Sequence, residues 1–543
     1  MSRIAILPVL FLQVGLCGLS DAPANAQQPH YDRVGVTGEG LFEHQWEWKE
    51  HARELPFPNL DELDLNKRHL HNRSDEIEEV LLSLGDGLGP LHNAKSCSKC
   101  HAGGGASGVE NNVTLLTIDP RSEVIHDTET GAETLRELFP AFLAGDGTLQ
   151  FSVVLHNEST RAGYEFLRLG LADAVHGGID EEWFNPAKRT IAALSHKPVI
   201  AGRFKTIDFY LSQRNSPPLF GIGLITRIDP AQIRLIADRQ VELSGGTISG
   251  RMAGKFGWRG QASSLASVIA DACSVELGLS HDSGGRGRSL FLRSSFRELV
   301  ANGLLPIDSP QAEDPVDPKY YHRGLDMTRS EVAQLVSYVA SLPAPVERAQ
   351  GEHTINDLLA GEKLFYTIGC ESCHVADIHP VRGLFSDLLL HDMGPELEDP
   401  SPAPADGQIA TTPLVKFSID DPRPVTSGRG YYGVSAQSTP IALSIPKPAV
   451  PQFPRGTLDN QLPSWDTLQR EWRTAPLWGV ADTAPYMHDG RAATLEEAIH
   501  LHGGEGASSR AHYRALSDEE KEHVIAFLQS LRAPTQSLDS VKE

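Results

Sequence analysis

The sequence predicts a mainly α-helical protein in which two similar domains follow each other along the chain, with long loops between their elements. Three observations support this prediction. The pentapeptide C-x-x-C-H occurs at residues 97–101 and again at 370–374, a motif R…P-L-[F/W]-G follows each copy, and each half ends in an amphipathic helix with the same cap. One order of motifs repeated along a chain is typical of an internally duplicated fold.

Each copy of C-x-x-C-H predicts the covalent attachment of one c-type haem, and hence two cytochrome-c-like domains. Two thiols one helical turn apart can form thioethers with the two vinyl groups of one porphyrin, and the adjacent histidine reaches the iron as proximal ligand. A zinc half-site or a redox C-x-x-C is the alternative for a single copy, but zinc ligand pairs lie closer together in sequence than these copies do. The predicted haem-binding residues are Cys97, Cys100, His101, Cys370, Cys373 and His374.

The terminal helix of each half is predicted from a capping box followed by helical periodicity. In Thr328…Glu331 and Ser517…Glu520 the N-cap oxygen can accept a hydrogen bond from the N3 amide while the glutamate reaches back. Both helices end shortly before a proline. The apolar positions are Val332, Leu335, Val336 and Val339 in the first helix and Val524, Phe527, Leu528 and Leu531 in the second. A helix of this kind closes the core of small c-type cytochrome domains.

The second repeated motif reads RNSPPLFG at 214–221 and RTAPLWG at 473–479, and a proline-containing stretch at 343–352 separates the halves. These landmarks predict the domain organisation. It comprises a signal peptide at 1–26, an N-terminal extension at 27–85, a first c-type haem domain with an insertion at 86–345 and a second c-type haem domain at 352–535.

The N-terminus has the pattern of a secretory signal peptide. Arg3 precedes an apolar run and the sequence Ala24-Asn25-Ala26 offers a cleavage site, so we expect cleavage after Ala26 and a periplasmic address. The apolar run is too short to span a bilayer, and we expect no membrane span in the mature chain. Of the six cysteines, only Cys273 is then left without a role. We expect a small buried residue there, with a reactive thiol as the alternative.

The composition is acidic, with 48 Lys and Arg against 71 Asp and Glu and a formal net charge of −23. This balance argues against nucleic acid and anionic membrane surfaces as partners. An acidic surface can attract a basic redox protein, although a solvated acidic surface is also the common state of soluble proteins.

Beyond the motifs, the chain resembles the di-haem oxidoreductases, putative peroxidases sometimes labelled thiol oxidoreductases. Their relatives are the bacterial di-haem cytochrome c peroxidases and the methylamine dehydrogenase maturation enzyme. The matching stretches are 87–101, 217–230, 254–265, 361–374, 385–397 and 471–506, whereas 110–212 does not match the family pattern. The acidic segment that often precedes ISGR in this family is replaced by Ser244-Gly245-Gly246-Thr247, which makes a calcium site there doubtful.

The resemblance implies an enzyme in which one haem meets peroxide or another oxidant and the other stores or relays electrons. A small redox protein, such as a cytochrome or cupredoxin, would donate the electrons. Two alternatives stay open at this point: a non-catalytic di-haem electron carrier, and an enzyme that oxidatively modifies a partner protein. A dithiol relay within the chain is excluded, because only one cysteine is free of the haem motifs and the signal peptide.

The sixth iron ligand decides between electron transfer and peroxide chemistry. Met393 and Met487 are candidate distal ligands, with core packing as the alternative. Relatives carry an axial methionine where this chain has Glu471, so Glu471 is either a carboxylate near the distal iron face or a structural residue paired with Arg473 or a haem propionate. His488, beside Asp489, is either a residue of the haem pocket or a structural residue, and both roles stay open.

Trp258 is a candidate electron bridge, since related two-haem enzymes place a tryptophan between the porphyrins; a buried packing residue is the alternative. His126, His156 and His176 are candidate distal ligands of the first haem, and nothing in the sequence ranks them. His500 and His502 close a predicted helix, where histidines suit the negative helix end.

Overall fold

Helices form most of the regular structure in the computed structural model of this chain. Everything described below belongs to one body of contacts, Arg33–Glu543. The predicted signal peptide, 1–26, and most of the extension, 27–85, lie outside the described residues. The structure describes residues 37–47, 87–89, 91–119, 122, 134–135, 138–139, 142, 148–149, 152–159, 164–281, 326–347, 353–401, 415–417, 424–426 and 465–534.

The α-helices are numbered in chain order. They are α1 (Gly38–Glu43), α2 (Cys97–Cys100), α3 (Tyr164–Asp173), α4 (Glu181–Phe184), α5 (Ile191–His196), α6 (Ile222–Ile225), α7 (Pro230–Ser244), α8 (Leu265–Glu276), α9 (Arg329–Ser341), α10 (Ile355–Thr367), α11 (Trp465–Arg470), α12 (Leu495–His500), α13 (Ala507–Ala515) and α14 (Asp518–Ser530). The strands are β1 (Leu91–His92), β2 (Val113–Ile118), β3 (Thr148–Leu149), β4 (Ser152–Leu155), β5 (Glu158–Ser159), β6 (Val199–Phe204), β7 (Ile207–Arg214), β8 (Val346–Glu347), β9 (Leu390–Asp392), β10 (Val415–Phe417), β11 (Pro424–Thr426), β12 (Glu471–Arg473) and β13 (Leu531–Arg532).

The two predicted terminal helices are confirmed as α9 and α14. Each begins with the predicted capping box, Thr328 with Glu331 and Ser517 with Glu520. The apolar side of each helix is buried; Leu335 and Val339 in α9 and Val524 and Phe527 in α14 are at most 2% exposed. The segments that follow the two helices pair with each other as the antiparallel strands β8 and β13.

An N-terminal helix packs on the terminal helix in each half, and a glycine marks both crossings. A Cβ at Gly38 would lie 2.2 Å from the Gln334 carbonyl oxygen, and a Cβ at Gly361 would lie 1.9 Å from that of His523. Only glycine permits such an approach. Ring centroids meet at 5.4 Å in both crossings, in the pairs Phe42–Tyr338 and Phe365–Phe527. Helix α1, from the predicted extension, thus packs on α9 as α10 packs on α14.

A second duplicated element is a closed turn that leads into a capped helix. Backbone hydrogen bonds join Phe256 to Ala262 in the first half and Tyr486 to Ala492 in the second. Ser264 then caps α8, and Thr494 caps α12. Trp258 lies two residues after Phe256, and His488 lies two residues after Tyr486, so the two occupy equivalent positions in their turns.

The repeated R…P-L-[F/W]-G motifs form one of the contacts between the halves. Gly221 and Gly479 both adopt left-handed backbone conformations, with φ of 61° and 74°. A Cβ at Gly221 would lie 3.2 Å from the Trp478 ring, and a Cβ at Gly479 would lie 3.3 Å from the Phe220 ring. Each motif therefore places its aromatic ring against the glycine of the other.

The main departure from the predicted helical class is an antiparallel sheet of order β4-β2-β7-β6 within residues 113–214. It lies in the segment that does not resemble the family pattern. Its inward side chains, such as Leu116, Ile118, Phe209 and Leu211, are fully buried, and the alternation and β-branched residues of these strands favour such a sheet. Within the described ranges, no helix is both long and apolar enough to cross a membrane.

Candidate haem centre

One cavity brings together most of the predicted site residues. It contains about 1700 Å³ of empty space when the open mouth is included. The site residues predicted from the sequence that line this cavity are Trp258, Cys370, Cys373, His374, Met393, Met487 and His488. The cavity therefore gathers the second C-x-x-C-H motif, both candidate methionines and a tryptophan from the first half.

The second motif is oriented by the helix that precedes it. Helix α10 ends at Thr367, Gly369 turns the chain with a φ of 91°, and a 3-10 turn carries Cys370 toward the cavity. His374 Nδ1 lies 3.0 Å from the Phe385 carbonyl oxygen and donates to it, which leaves Nε2 free to bind a metal. Burial lowers the pKa of His374 to about 4, so its ring is neutral, as iron ligation requires.

The thiols also suit thioether attachment. Cys370 and Cys373 are partly buried and form no disulfide with a described residue. Burial raises the pKa of Cys370 to about 12. The residues at this site thus fit a covalently bound haem: two unpaired thiols, an oriented neutral imidazole and a large cavity lined mainly by apolar groups.

The first motif forms a short capped helix. Ser96 Oγ accepts a hydrogen bond from the Lys99 amide at the start of α2, and the His101 amide donates to the Cys97 carbonyl at its end. Burial lowers the pKa of His101 to about 4, a shift that backbone groups of Gly105 and Pro217 oppose. The first histidine is therefore also neutral, as iron ligation requires.

Cys273 is buried in the core beside the first motif, at 2% exposure, which confirms the prediction of a small buried residue. Burial, followed by the neighbouring Cys97, raises its pKa well above the usual value. The thiol therefore stays protonated, contrary to what a reactive thiolate needs.

His488 lies in the cavity wall within a stack of three planar groups. Its ring is 3.6 Å from the Trp472 ring at an interplanar angle of 12°, and the Arg259 guanidinium lies 3.7 Å from the same indole. Both cannot occupy one face, so Trp472 is held between them. Burial, and then Arg491, Arg214 and Arg259, lowers the pKa of His488 well below its usual value, so the imidazole is neutral.

Glu471 is placed differently from the sequence-based expectations. Its carboxylate pairs with Arg251, with Nε–Oε1 and Nη2–Oε2 distances of 3.0 and 2.5 Å. The predicted salt bridge between Glu471 and Arg473 was wrong. Arg473 Nε instead donates to the Gly257 carbonyl at 2.7 Å. Glu471 is also absent from the residues that line the cavity. The ion pair with Arg251 gives Glu471 a structural position, and its distal role stays a prediction.

Trp258 lies where the two halves cross. Its Nε1 donates to the Asn215 carbonyl at 2.7 Å, and the Asn215 amide donates to the His488 carbonyl at 2.7 Å. The Arg473 amide donates back to the Trp258 carbonyl at 2.9 Å. Asn215 Nδ2 also donates to the carbonyl of Ser107, shortly after the first motif. These bonds fix the indole in the wall of the cavity, and Asn215 links it to the chain segment that follows the first motif.

The two candidate methionines differ in backbone conformation. Met487 has a left-handed φ of 71°, whereas its counterpart in the first half is a glycine, Gly257, with a φ of 83°. A side chain in this region costs on the order of 1–3 kcal/mol and persists where a function or its surroundings demand it. Met393 is not among the positive-φ residues.

Several residues at this site were not predicted. His391 lies between two carboxylates, Nε2 at 2.9 Å from Asp387 and Nδ1 at 2.5 Å from Glu505, and 3.9 Å from Cys373 Sγ. Burial opposes its protonation, but Asp387 and then Cys373 raise its pKa well above the usual value. With both nitrogens donating, His391 is an imidazolium. The stretch 385–397 resembles the family, but no motif in it singles out this residue.

The other candidate histidines differ in where they lie and how deeply they are buried. His126 lies outside the described residues, and His176 is exposed. His156 is buried with Nε2 at 2.7 Å from the Val275 carbonyl, and burial lowers its pKa to about 4. His502 lines the cavity beside His374, with ring centroids 6.3 Å apart, and its Nδ1 donates to the Ala498 carbonyl.

Known proteins resemble this chain at several levels. The curated relative hydrazine synthase subunit gamma of Kuenenia stuttgartiensis is 24% identical over 232 residues, which cover 40% of this chain. The chain spans about half of that relative, 53% of its length. Solved structures include hydrazine synthase of the same organism, with 22% identity, coverage of 40% and 59% and a TM-score of 0.22.

Two further solved structures are each 16% identical, with TM-scores of 0.25. The di-haem peroxidase BthA of Burkholderia thailandensis is matched over 52% of this chain and 68% of its own. A MauG-like protein associated with microbial copper homeostasis is matched over 52% and 72%. These TM-scores are too low to carry an argument.

Residues 455–531 match the family described as di-haem oxidoreductase, putative peroxidase. This segment holds the strand with Glu471, the turn with His488 and the whole terminal helix α14. The family resemblance predicted from the sequence, to the di-haem oxidoreductases, is thereby confirmed.

Proposed function

We propose that this protein is a periplasmic di-haem c-type cytochrome with peroxidase-like activity. The observation that carries the proposal is the single cavity that joins Cys370, Cys373 and His374 to His488. A haem held there would supply an iron centre for one-electron chemistry and for contact with the oxidant. The first motif, with Cys97, Cys100 and His101, would hold the second group.

The chain's own residues would hold and isolate this site. Phe385 fixes the tautomer of His374 through its carbonyl, as partners of metal-binding histidines commonly do. Phe365, Leu477 and Val480 supply apolar cavity walls that exclude water. Trp258, hydrogen-bonded between the halves, is the residue that we propose to relay electrons from one haem domain to the other.

His488 is the proposed proton carrier. Its neutral imidazole can accept a proton from the first peroxide oxygen and return it to the departing one. Reduction of one peroxide breaks the O–O bond, consumes two electrons and two protons, and yields two waters. The electrons would come one at a time from a reduced cytochrome or cupredoxin. The stack with Trp472 and Arg259 holds the His488 ring in place, and Arg491 Nη2 lies 3.5 Å from its Nε2.

A methionine in the sixth iron position is the alternative to peroxide contact at this site, because it would make this haem an electron-transfer centre. Met487 is then the better candidate of the two methionines, because its backbone conformation is costly where a glycine serves in the other half. Met393 stays the alternative.

The test is the addition of peroxide to fully oxidised and to half-reduced holoprotein, with the haem absorption bands followed over time. We expect a fast spectral change and consumption of peroxide, both slowed in His488→Gln. His500→Gln is a matched control, because His500 is a partly exposed histidine on α12 that does not line the cavity. If peroxide leaves both haems unchanged in every redox state, the electron-carrier alternative replaces the peroxidase.

A further inference from the structure

A stripe of exposed apolar side chains follows one side of α10, the helix that leads into the second C-x-x-C-H motif. Ile355 is 65% exposed, Leu359 is 55% exposed and Tyr366 is 38% exposed. Spacings of four and seven residues place the three on one side of the helix, away from the buried Leu358 and Phe365. Exposed apolar side chains grouped on one side of a helix are a candidate interaction site.

Carboxylates accompany this stripe. Glu362 lies on α10 between Leu359 and Tyr366, and burial, followed by four acidic neighbours, raises the pKa of Tyr366. The four are Glu362, Asp377, Glu371 and Glu347. Within the described parts of the chain, none of the four forms an ion pair. Lys363 is the neighbouring cation on α10, so the rim carries a clear negative excess.

Aromatic rings connect the stripe to the proximal histidine. The Tyr366 ring lies 5.9 Å from that of Phe365, and the Phe365 ring lies 6.4 Å from that of His374. Electron tunnelling weakens steeply with distance, so a redox centre seated on this stripe would be near the iron ligand through only three side chains.

We propose that this face of α10 is the docking surface for the electron donor, a small one-electron carrier whose exposed redox edge is apolar and ringed by lysines. This rests on the proposed function, because it supplies the donor that a peroxidase needs. In each encounter the partner's reduced metal centre loses one electron and the chain gains one. Opposite charges would steer the encounter, and a small apolar contact would keep it transient enough for turnover.

The test is stopped-flow reduction of the oxidised holoprotein by a reduced, basic monohaem cytochrome c, in the absence of peroxide. We expect the double variant Glu347→Lys/Glu362→Lys to be reduced at least about tenfold more slowly at low salt. Leu359→Ser should also be slow, and the wild-type rate should fall as salt rises. Matched controls on α7 are Glu242→Lys and Leu243→Ser, both at exposed positions, which should keep the wild-type rate.

Wild-type rates in both α10 variants, or equal losses in the α7 controls, would overturn the docking proposal. Reduction by dithionite needs no docking and should be the same in all variants, which excludes a folding defect. If the basic cytochrome reduces the wild type faster than the α10 variants but peroxide is not consumed, the docking surface stands and the peroxidase function fails. If peroxide is consumed but the variants are reduced as fast as the wild type, the peroxidase function stands and the docking surface fails.

Discussion

The two halves of the molecule share a scaffold but present different residues at equivalent places. The turn that precedes the capped helix carries Trp258 in the first half and His488 in the second, and the next residue is Arg259 in one and Asp489 in the other. An indole can pass an electron but holds its proton, whereas a neutral imidazole can accept one. We therefore propose that duplication supplied two haem scaffolds and that substitution in one turn divided electron transfer from proton handling.

The largest expected effect comes from removing the proximal histidine of either half. We expect His101→Ala and His374→Ala each to lose the normal spectrum of one haem, or the folded protein itself, because each histidine is neutral and directly follows the second cysteine of its motif. Mass spectrometry and absorption spectra of the periplasmic holoprotein provide the measurement. The wild type should carry two added haems; a mass that fits one or none would end the comparison of two haem domains.

A second prediction concerns the contact that joins the halves. Arg259 is 1% exposed, and its guanidinium donates to main-chain carbonyls of the second half. Arg259→Met should lower the free energy of unfolding by roughly 3 kcal/mol or more, because buried acceptors lose a charged donor. Urea unfolding measures this loss, with Arg239→Met, an exposed position on α7, as the control. Equal midpoints for the two variants would show that Arg259 does not hold the halves together.

The low pKa of His488 predicts that the protein loses stability in acid. Trp258, the counterpart of His488 in the first half, does not titrate and contributes no such loss. The unfolded chain binds a proton at His488 near pH 6.5, whereas the folded protein does not. Stability should therefore fall as pH falls below about 6.5, by up to about 1.4 kcal/mol per pH unit for this one proton. Denaturant midpoints between pH 7.5 and 5 should show a shallower decline in His488→Gln. An unchanged slope would mean that another group dominates.

The smallest expected effect concerns Met487, whose first-half counterpart is Gly257. Met487→Gly relieves the left-handed backbone strain, so we expect the stability to stay within about 1 kcal/mol of the wild type. If Met487 binds iron, the same variant loses the ferric absorption that a sulfur ligand produces. Met393→Leu serves as the comparison. A spectrum that changes only in Met393→Leu would transfer the ligand role to that residue.

Much of this duplication was predictable from local sequence. The capping boxes, the apolar spacing of α9 and α14 and the repeated glycine motifs all involve residues close in sequence, whose physics is short-range. The contacts between the halves were not predictable in this way, because Arg259 reaches carbonyls such as that of Gln469, 210 residues away. Helix α1 was not predicted as an element for the same reason, since α9, on which it packs, lies far away in sequence.

The candidate site divides along the same line. The C-x-x-C-H motifs predict the haem-binding residues, because the spacing itself carries the chemistry. Glu471 was assigned a role from its place in a family pattern, but its environment depends on Arg251, which lies far away in sequence. The pairing of Trp258 with His488 could have been found by aligning KFGWRGQA with PYMHDGRA, two stretches that each resemble the family.

The most direct test of the account compares two variants in two measurements on the same holoprotein. Electron transfer between the haems is followed after rapid reduction of one of them without peroxide, and peroxide cleavage is followed in half-reduced protein. The account predicts that Trp258→Phe slows the first and that His488→Gln slows only the second. Equal effects of both variants on both rates, or no effect of either, would contradict the division of roles between the halves.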